Sequence, residues 1–214
     1  MPVAVQAVPY LLALAILALV AALGFGAWAA APGLLLAAFV AFFFRDPKRT
    51  APAADGLVVS PADGRVTTVE RTPEGARVSI FLSLFNCHIN RSPVSGVVLS
   101  ARHTPGGFRP AWDPRAGHEN ERNHLVIRAE DGDYGVTQIA GILARRIVCS
   151  KRAGEAVRRG DRLGLIQFGS RTDLILPAGV EPAVQVGERV RGAVTVVARQ
   201  KARAAARPAL GVGG

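Results

Sequence analysis

The sequence predicts a mainly β protein, in which a compact β-sandwich or barrel-sandwich-like domain follows an N-terminal helical membrane segment. Residues 1–44 are uncharged and largely apolar, and the first charged side chain is that of Arg45. Beyond it, short runs rich in Val, Ile and Leu alternate with Gly and Pro, a pattern typical of strands joined by tight turns. Half of all residues are hydrophobic, which excludes a disordered chain.

The N-terminal segment, residues 1–44, is predicted to anchor the chain in a membrane. Tyr10 to Ala31 is long enough to cross the hydrocarbon core, for which about 20 apolar helical residues suffice. Pro32 and Gly33 interrupt the apolar run, so the sequence leaves open one tilted helix with an interfacial extension or a hairpin of two helices. A cleaved signal peptide is less favoured, because no basic region precedes the apolar residues.

Charge and cysteine content predict a cytoplasmic location for the β-rich domain, residues 45–214. Arg45, Lys48 and Arg49 directly follow the apolar run, and the positive-inside rule places such residues in the cytoplasm. The formal net charge of +10 favours anionic lipid as a partner, since nucleic-acid-binding signatures are absent from the sequence. Cys87 and Cys149 lie far apart and form no CxxC pair, which agrees with a reducing compartment.

Nine runs after residue 50 are predicted to be strands. They are Leu57–Ser60, Arg65–Glu70, Ala76–Leu82, Gly96–Ala101, His124–Ala129, Tyr134–Ile139, Arg162–Phe168, Thr172–Leu176 and Ala193–Ala198. Phe85–Asn90 is compatible with a short helical turn, and Arg102–Asn123 is predicted to be a long irregular loop of the kind that is often functional. Two Gly-acidic segments, 154–161 and 186–192, resemble each other and indicate similar turns.

Common catalytic motifs are missing from the chain. The sequence contains no P-loop, no HExxH and no dinucleotide-binding glycine motif, so nucleotide hydrolysis, zincin chemistry and Rossmann redox chemistry have no support. A metal site could be assembled from Cys87, His88, His118 and His124, but their spacing matches no standard ligand set. We therefore expect no metal site.

A Gly-Ser step between two β-like runs carries a resemblance to a known family. Phe168-Gly169-Ser170 resembles the processing site of phosphatidylserine decarboxylases, specifically their short, archaeal-type form. Six other segments look like family segments in family order: 43–47 (FFRDP), 60–64 (SPADG), 81–83 (FLS), 88–96 (HINRSPVSG), 120–123 (NERN) and 138–141 (QIAG). The resemblance thus covers nearly the whole stretch from Phe43 to Pro177.

The resemblance implies that the chain cleaves itself between Gly169 and Ser170. The Ser170 hydroxyl would attack the Gly169 carbonyl. β-Elimination and hydrolysis would then convert Ser170 into a pyruvoyl group. This group is the covalent cofactor, so no external cofactor would be needed. The products would be a large subunit, residues 1–169, and a small subunit, residues 170–214, which remain together as a heterodimer. His88 is the candidate general base and Asp63 the candidate residue that orients it, and a close Asp63 would raise the imidazole pKa above about 6.5.

The implied reaction is the decarboxylation of phosphatidylserine to phosphatidylethanolamine and CO2 through a Schiff base, a step of phospholipid biosynthesis at the cell membrane. Arg91 and Arg122 are candidate binding residues for the substrate phosphate or carboxylate. Larger family members carry HxxH where this chain has His88 and Arg91, so Arg91 is also a candidate replacement for a second histidine. Two alternatives are a membrane-tethered, non-enzymatic barrel-sandwich adaptor and a pyruvoyl decarboxylase of a soluble amino acid.

Overall fold

A computed structural model describes residues 2–142, 146–167 and 170–201. Its helices are α1 Val8–Phe25, α2 Ala31–Phe43 and the short α3 Ala116–Glu119. Its strands are β1 Leu57–Val59, β2 Gly64–Thr72, β3 Gly75–Leu82, β4 Ile89–Arg91, β5 Gly96–Thr104, β6 Arg122–Ala129, β7 Gly132–Ile139, β8 Arg146–Cys149, β9 Ala156–Val157, β10 Arg162–Gln167, β11 Ser170–Pro177, β12 Val180–Pro182, β13 Arg189–Val190 and β14 Val196–Gln200. The predicted mainly β fold with an N-terminal apolar helix is confirmed.

The strands form one large curled sheet and two small sheets. The large, antiparallel sheet has the order β13-β2-β3-β11-β7-β6-β5-β9, and the small ones have the orders β1-β14-β12 and β4-β10-β8. Strand β11 lies at the centre, paired along its length with β3 on one side and with β7 on the other. Its alternate residues Leu174 and Leu176 face the main core and are buried there.

All nine predicted strands are present, with ends that differ by a few residues. The expected helical turn at Phe85–Asn90 is wrong in its second half, because Ile89–Arg91 forms β4 and pairs with β10. The long loop is shorter than expected at both ends. Strand β5 extends to Thr104, so the loop begins later, and β6 begins at Arg122, so the loop ends earlier. The two resembling segments do form similar turns: Gly154 and Gly187 have φ angles of 90° and 95°, conformations that glycine adopts without strain.

The N-terminal segment is a helical hairpin. Gly26, with a φ of 93°, ends α1, whereas Pro32 lies in the first turn of α2, where proline is well tolerated. The helices pack closely at Gly33, where a Cβ atom would lie 3.0 Å from that of Ala18. Both ends of the hairpin lie on the side of the β domain, because Val3 pairs with Arg45 in an isolated β-bridge. The structure therefore has the second of the two arrangements that the sequence allowed.

The base of this hairpin packs into the β domain. Buried side chains from both parts form one apolar cluster, whose members are Ala7, Val40, Phe43, Phe44, Cys87, Ile89 and Leu165. By contrast, most of the rest of the hairpin surface is exposed, and α1 is long and apolar enough to span a membrane. The boundary at residue 44 therefore passes through a packed cluster, which we call the basal cluster.

Candidate active site

Ser170 occupies the first position of β11, where it pairs with Leu82 at the end of β3. Its side chain is fully buried, and its Oγ atom has no hydrogen-bond partner among the described residues. A buried polar atom without a partner costs about 1–3 kcal/mol, so a functional explanation is warranted. Ser79 Oγ shares both properties, but no glycine precedes it. Gly169, the other half of the predicted cleavage site, lies outside the described residues.

His88 lies on the connection from β3 to β4 and is 2% exposed. Its Nδ1 atom is 3.0 Å from the backbone oxygen of Asn86. Because a carbonyl oxygen only accepts hydrogen bonds, Nδ1 must carry the proton, and the neutral ring then has its lone pair on Nε2. This is the tautomer that a general base acting through Nε2 requires.

The environment of His88 keeps the imidazole neutral. Burial, the largest cause, lowers its pKa to about 4, while the hydrogen bond to Asn86 raises it, Arg45 lowers it and Asp63 raises it. The net shift is downward, opposite in sign to the effect expected from a neighbouring carboxylate alone. At neutral pH the ring is therefore uncharged and able to accept a proton.

Phe43, the last residue of α2, forms one wall around His88. The two ring centroids lie 4.2 Å apart at an interplanar angle of 33°, and both side chains are buried. An aromatic ring in this position excludes water from the imidazole, which contributes to the desolvation that lowers its pKa. The sequence analysis placed Phe43 in the anchor and missed this contact, although Phe43 begins one of the family-like segments.

Asp63 is held by residues other than His88. Its carboxylate accepts hydrogen bonds from both terminal nitrogens of Arg49, one of them at 2.7 Å, and a third from the Gly192 backbone N–H at 2.7 Å. The structure therefore does not join Asp63 and His88 by a hydrogen bond. Asp63 acts on His88 through its charge, while the Asn86 carbonyl accepts the hydrogen bond from Nδ1.

The two candidate substrate arginines occupy different surroundings. Arg91 is buried and forms an ion pair of 2.6 Å with Asp46, and it also donates to the backbone oxygens of Pro47 and Gly160. Arg122, at the start of β6, is half-buried and donates to the His118 backbone oxygen at 2.5 Å. Arg91 thus ties the chain after the hairpin to the β domain, and the structure gives it contacts with protein groups on several sides.

A buried chain of polar side chains joins three of the family-like segments. Asn90 donates to Thr172 Oγ1 at 2.9 Å and accepts from Gln138 Nε2 at 2.9 Å, and Asn123 donates to Gln138 Oε1 at 3.0 Å. Thr172 is two residues from Ser170 on the same face of β11. The sequence shows the resemblance of these segments to the family but not the contact between them. The only sign of that contact in the sequence is that each segment contains Asn or Gln.

Two of the remaining histidines have polar partners of their own. His103 lies 3.9 Å from Glu121, and His124 Nδ1 is 2.8 Å from Thr137 Oγ1. In the part of the chain that the structure describes, no three His, Cys, Asp or Glu side chains form a group that could hold a metal ion.

Comparison with known proteins identifies the family. The model of the phosphatidylserine decarboxylase family matches residues 36–198. The chain belongs to the phosphatidylserine decarboxylase family. It is 46% identical over 177 residues to the phosphatidylserine decarboxylase proenzyme of Ruegeria pomeroyi, covering 78% of this chain and 81% of that protein. It is 42% identical over 212 residues to the proenzyme of the same name from Pelobacter propionicus, covering 92% and 96%.

Membership of this decarboxylase family confirms the family and the enzyme class that the sequence predicted. The non-enzymatic adaptor and the decarboxylase of a soluble amino acid are not favoured. The matched region begins within α2, so the C-terminal part of that helix, including Phe43, lies inside it.

Proposed function

We propose that the chain processes itself at the Gly169–Ser170 bond, with Ser170 as nucleophile and His88 as general base, and then decarboxylates phosphatidylserine. The observation that carries the proposal is the buried hydroxyl of Ser170, which follows a glycine and has no hydrogen-bond partner among the described residues. A hydroxyl that is not engaged elsewhere is free to attack the preceding carbonyl. A buried, neutral histidine in the same region supports the assignment of the base.

Processing begins with proton transfer from Ser170 Oγ to Nε2 of His88 as the oxygen attacks the carbonyl carbon of Gly169. The peptide C–N bond breaks, an ester forms, and the imidazolium returns its proton to the departing amine. Loss of the Cα proton of Ser170 then expels the Gly169 carboxylate and leaves dehydroalanine. Hydrolysis of this residue releases ammonia and produces the pyruvoyl group.

The residues present fit this covalent group, because it arises from Ser170 itself and needs no separate binding cradle. When formed, it supplies an electrophilic carbonyl that captures the substrate amine and accepts the electrons released as CO2 leaves. The protein's contribution is to hold position 170 against Leu82 in a water-poor site. Thr172, fixed by Asn90, keeps the start of β11 in register.

The strand pairing supports a stable complex of the two fragments after cleavage. The small fragment, residues 170–214, contributes β11, which pairs with β3 and β7 of the large fragment, and β14, which pairs with β1. Breaking the bond before Ser170 leaves these ladders intact. We therefore expect the fragments to separate only on denaturation.

The helical hairpin supports a lipid substrate and a membrane location. Its apolar outer surface is exposed, and its two ends meet where Val3 pairs with Arg45, the first basic residue of the chain. Arg45 and Lys48, which follow the second helix, favour the cytoplasmic leaflet. A site tied to the bilayer meets phosphatidylserine at high effective concentration, which a soluble amino acid would not need.

Intact-mass spectrometry of the purified protein tests the proposal. We expect two fragments, with the small one lighter by one ammonia than a peptide that begins with serine at 170. Ser170→Ala should remain one chain and should not decarboxylate phosphatidylserine in vesicles. Ser79→Ala is the matched control, because it also removes a buried, unpartnered hydroxyl and should be processed normally. Two fragments from Ser170→Ala would show that the processing site is elsewhere.

A further inference from the structure

Two large aromatic side chains are exposed near the end of the sheet that holds Ser170. Phe85, in the turn after β3, is 72% exposed, and Trp112, in the long loop between β5 and β6, is 69% exposed. Trp112 packs against Phe81 with ring centroids 6.2 Å apart. Both aromatic residues are therefore attached to the same end of β3. We call Phe85 and Trp112 the aromatic pair.

Ser170 lies between the attachment points of the aromatic pair. Leu82, which pairs with Ser170, is the residue after Phe81 and comes three residues before Phe85. At about 3.3 Å per extended residue, both members of the pair are attached within roughly 10 Å of the strand position that holds Ser170. The aromatic pair and Ser170 therefore lie at the same end of the sheet.

Phe85 is also joined directly to the base of the hairpin. Arg45 donates one hydrogen bond to the Phe42 backbone oxygen at 2.8 Å and another to the Phe85 backbone oxygen at 2.6 Å. Its guanidinium lies 3.9 Å from the centre of the Phe42 ring. The turn that carries the exposed Phe85 is therefore tied to the last turn of α2, where the hairpin leaves the β domain.

We propose that the aromatic pair forms a second membrane contact, in which Phe85 and Trp112 enter the interfacial layer of the bilayer beside the hairpin. Aromatic side chains prefer this layer, where an apolar ring and a polar atom are both accommodated. The bilayer is the occupant because Arg45 ties the turn of Phe85 to the base of the hairpin, and Trp112 is attached to the same end of β3. This inference rests on the membrane association in the proposed function, and it places the end of the sheet that holds Ser170 at the bilayer surface, so that a lipid headgroup reaches it without leaving the bilayer.

Single-tryptophan variants of the full-length protein test the contact, because the chain has only Trp28, near the tip of the hairpin, and Trp112. Trp28→Phe leaves Trp112 as the reporter, and Trp112→Phe leaves Trp28. In a chain lacking both, Phe85→Trp reports on the turn and Glu74→Trp on the opposite end of β3. Each protein is reconstituted into phosphatidylcholine and phosphatidylglycerol vesicles, in which part of the phosphatidylcholine is brominated near the glycerol.

We expect Trp112 and Phe85→Trp to be quenched by brominated lipid at least about twofold more than Glu74→Trp, with emission shifted to shorter wavelength. Trp28 should be quenched most strongly by lipid brominated near the chain ends. If Trp28 is quenched and Trp112 or Phe85→Trp behaves like Glu74→Trp, the second contact is refuted while the anchor stands. If Trp28 itself is not quenched, the membrane association in the proposed function fails as well.

Discussion

Replacing Phe43 by leucine tests whether the membrane hairpin sets the chemistry of His88. Phe43 is the last residue of α2 and packs against the imidazole with ring centroids 4.2 Å apart. A smaller side chain leaves space into which water can enter, and hydration stabilises the charged imidazolium. We therefore expect Phe43→Leu to raise the pKa of His88 from about 4 toward its ordinary value of about 6.5.

The size of the effect follows from the two limiting pKa values. With a pKa of about 4, about 97% of His88 is neutral at about pH 5.5, whereas with a pKa of about 6.5 the neutral fraction is about 9%. Full loss of desolvation would thus slow processing about tenfold at that pH. Leucine still covers part of the ring, so we expect the midpoint of the pH profile to rise by about one unit, equivalent to about 1.4 kcal/mol. Arg45 and Asp63, the other charges acting on His88, are unchanged.

The assay follows the cleaved fraction of newly synthesised chain over time in buffers from about pH 4 to pH 8. Phe39→Leu is the matched control, because Phe39 lies on the same helix with 36% of its side chain exposed. Between about pH 4 and 6.5, His88 binds a proton in the unfolded chain but not in the native one, so the free energy of unfolding also falls as the pH decreases. Circular dichroism must therefore confirm the fold at each pH. An unchanged midpoint in Phe43→Leu would refute the reasoning, whereas normal cleavage in His88→Ala would remove His88 as the base.

Two further predictions concern the ion pair of Asp63 and the base of the hairpin. Asp63→Asn leaves Arg49 buried without its carboxylate partner, so the free energy of unfolding in detergent should fall by about 3–5 kcal/mol. The control, Asp133→Asn at the surface, should change the free energy of unfolding little. Equal stability of the two variants would contradict a structural role for Asp63. Deleting residues 2–44 exposes the remainder of the basal cluster and removes Phe43. The truncated chain should therefore aggregate, as measured by gel filtration, and stay unprocessed, as measured on denaturing gels. A soluble, processed fragment would show that the hairpin is dispensable.

Local sequence patterns predicted the strands because the β domain buries alternate residues along them. Ala76, Val78, Ile80 and Leu82 of β3 all face the core, and this period of two is visible without any structure. The strands that escaped prediction, such as β9 and β13, have two residues each and offer no period to detect. Their identity depends on pairing with partners that lie far away in the sequence.

The contacts of the candidate site were less predictable, because they depend on the packing of distant or irregular segments. The family resemblance and the logic of a Ser-His-Asp triad suggested that Asp63 orients His88. In the structure Asp63 pairs with Arg49, and Nδ1 of His88 donates to a backbone carbonyl, a contact that no sequence pattern reveals. Similarly, Arg91 pairs with Asp46 across 45 positions. The tertiary structure therefore decides which charged groups meet, although Ser170 and His88 could be selected from sequence.

The hairpin contacts the site region on two sides, which makes membrane docking and site geometry interdependent. Phe43 at the end of α2 covers His88, while Tyr10 at the start of α1 donates a hydrogen bond of 3.4 Å to Gln167, near the predicted cleavage site. Tyr10 also stacks on Phe44 with centroids 5.8 Å apart, so both helix ends act through one packed cluster. A displacement of the hairpin would therefore hydrate His88 and shift the end of β10 at the same time. For this reason we expect processing only in a chain whose hairpin is docked on the β domain.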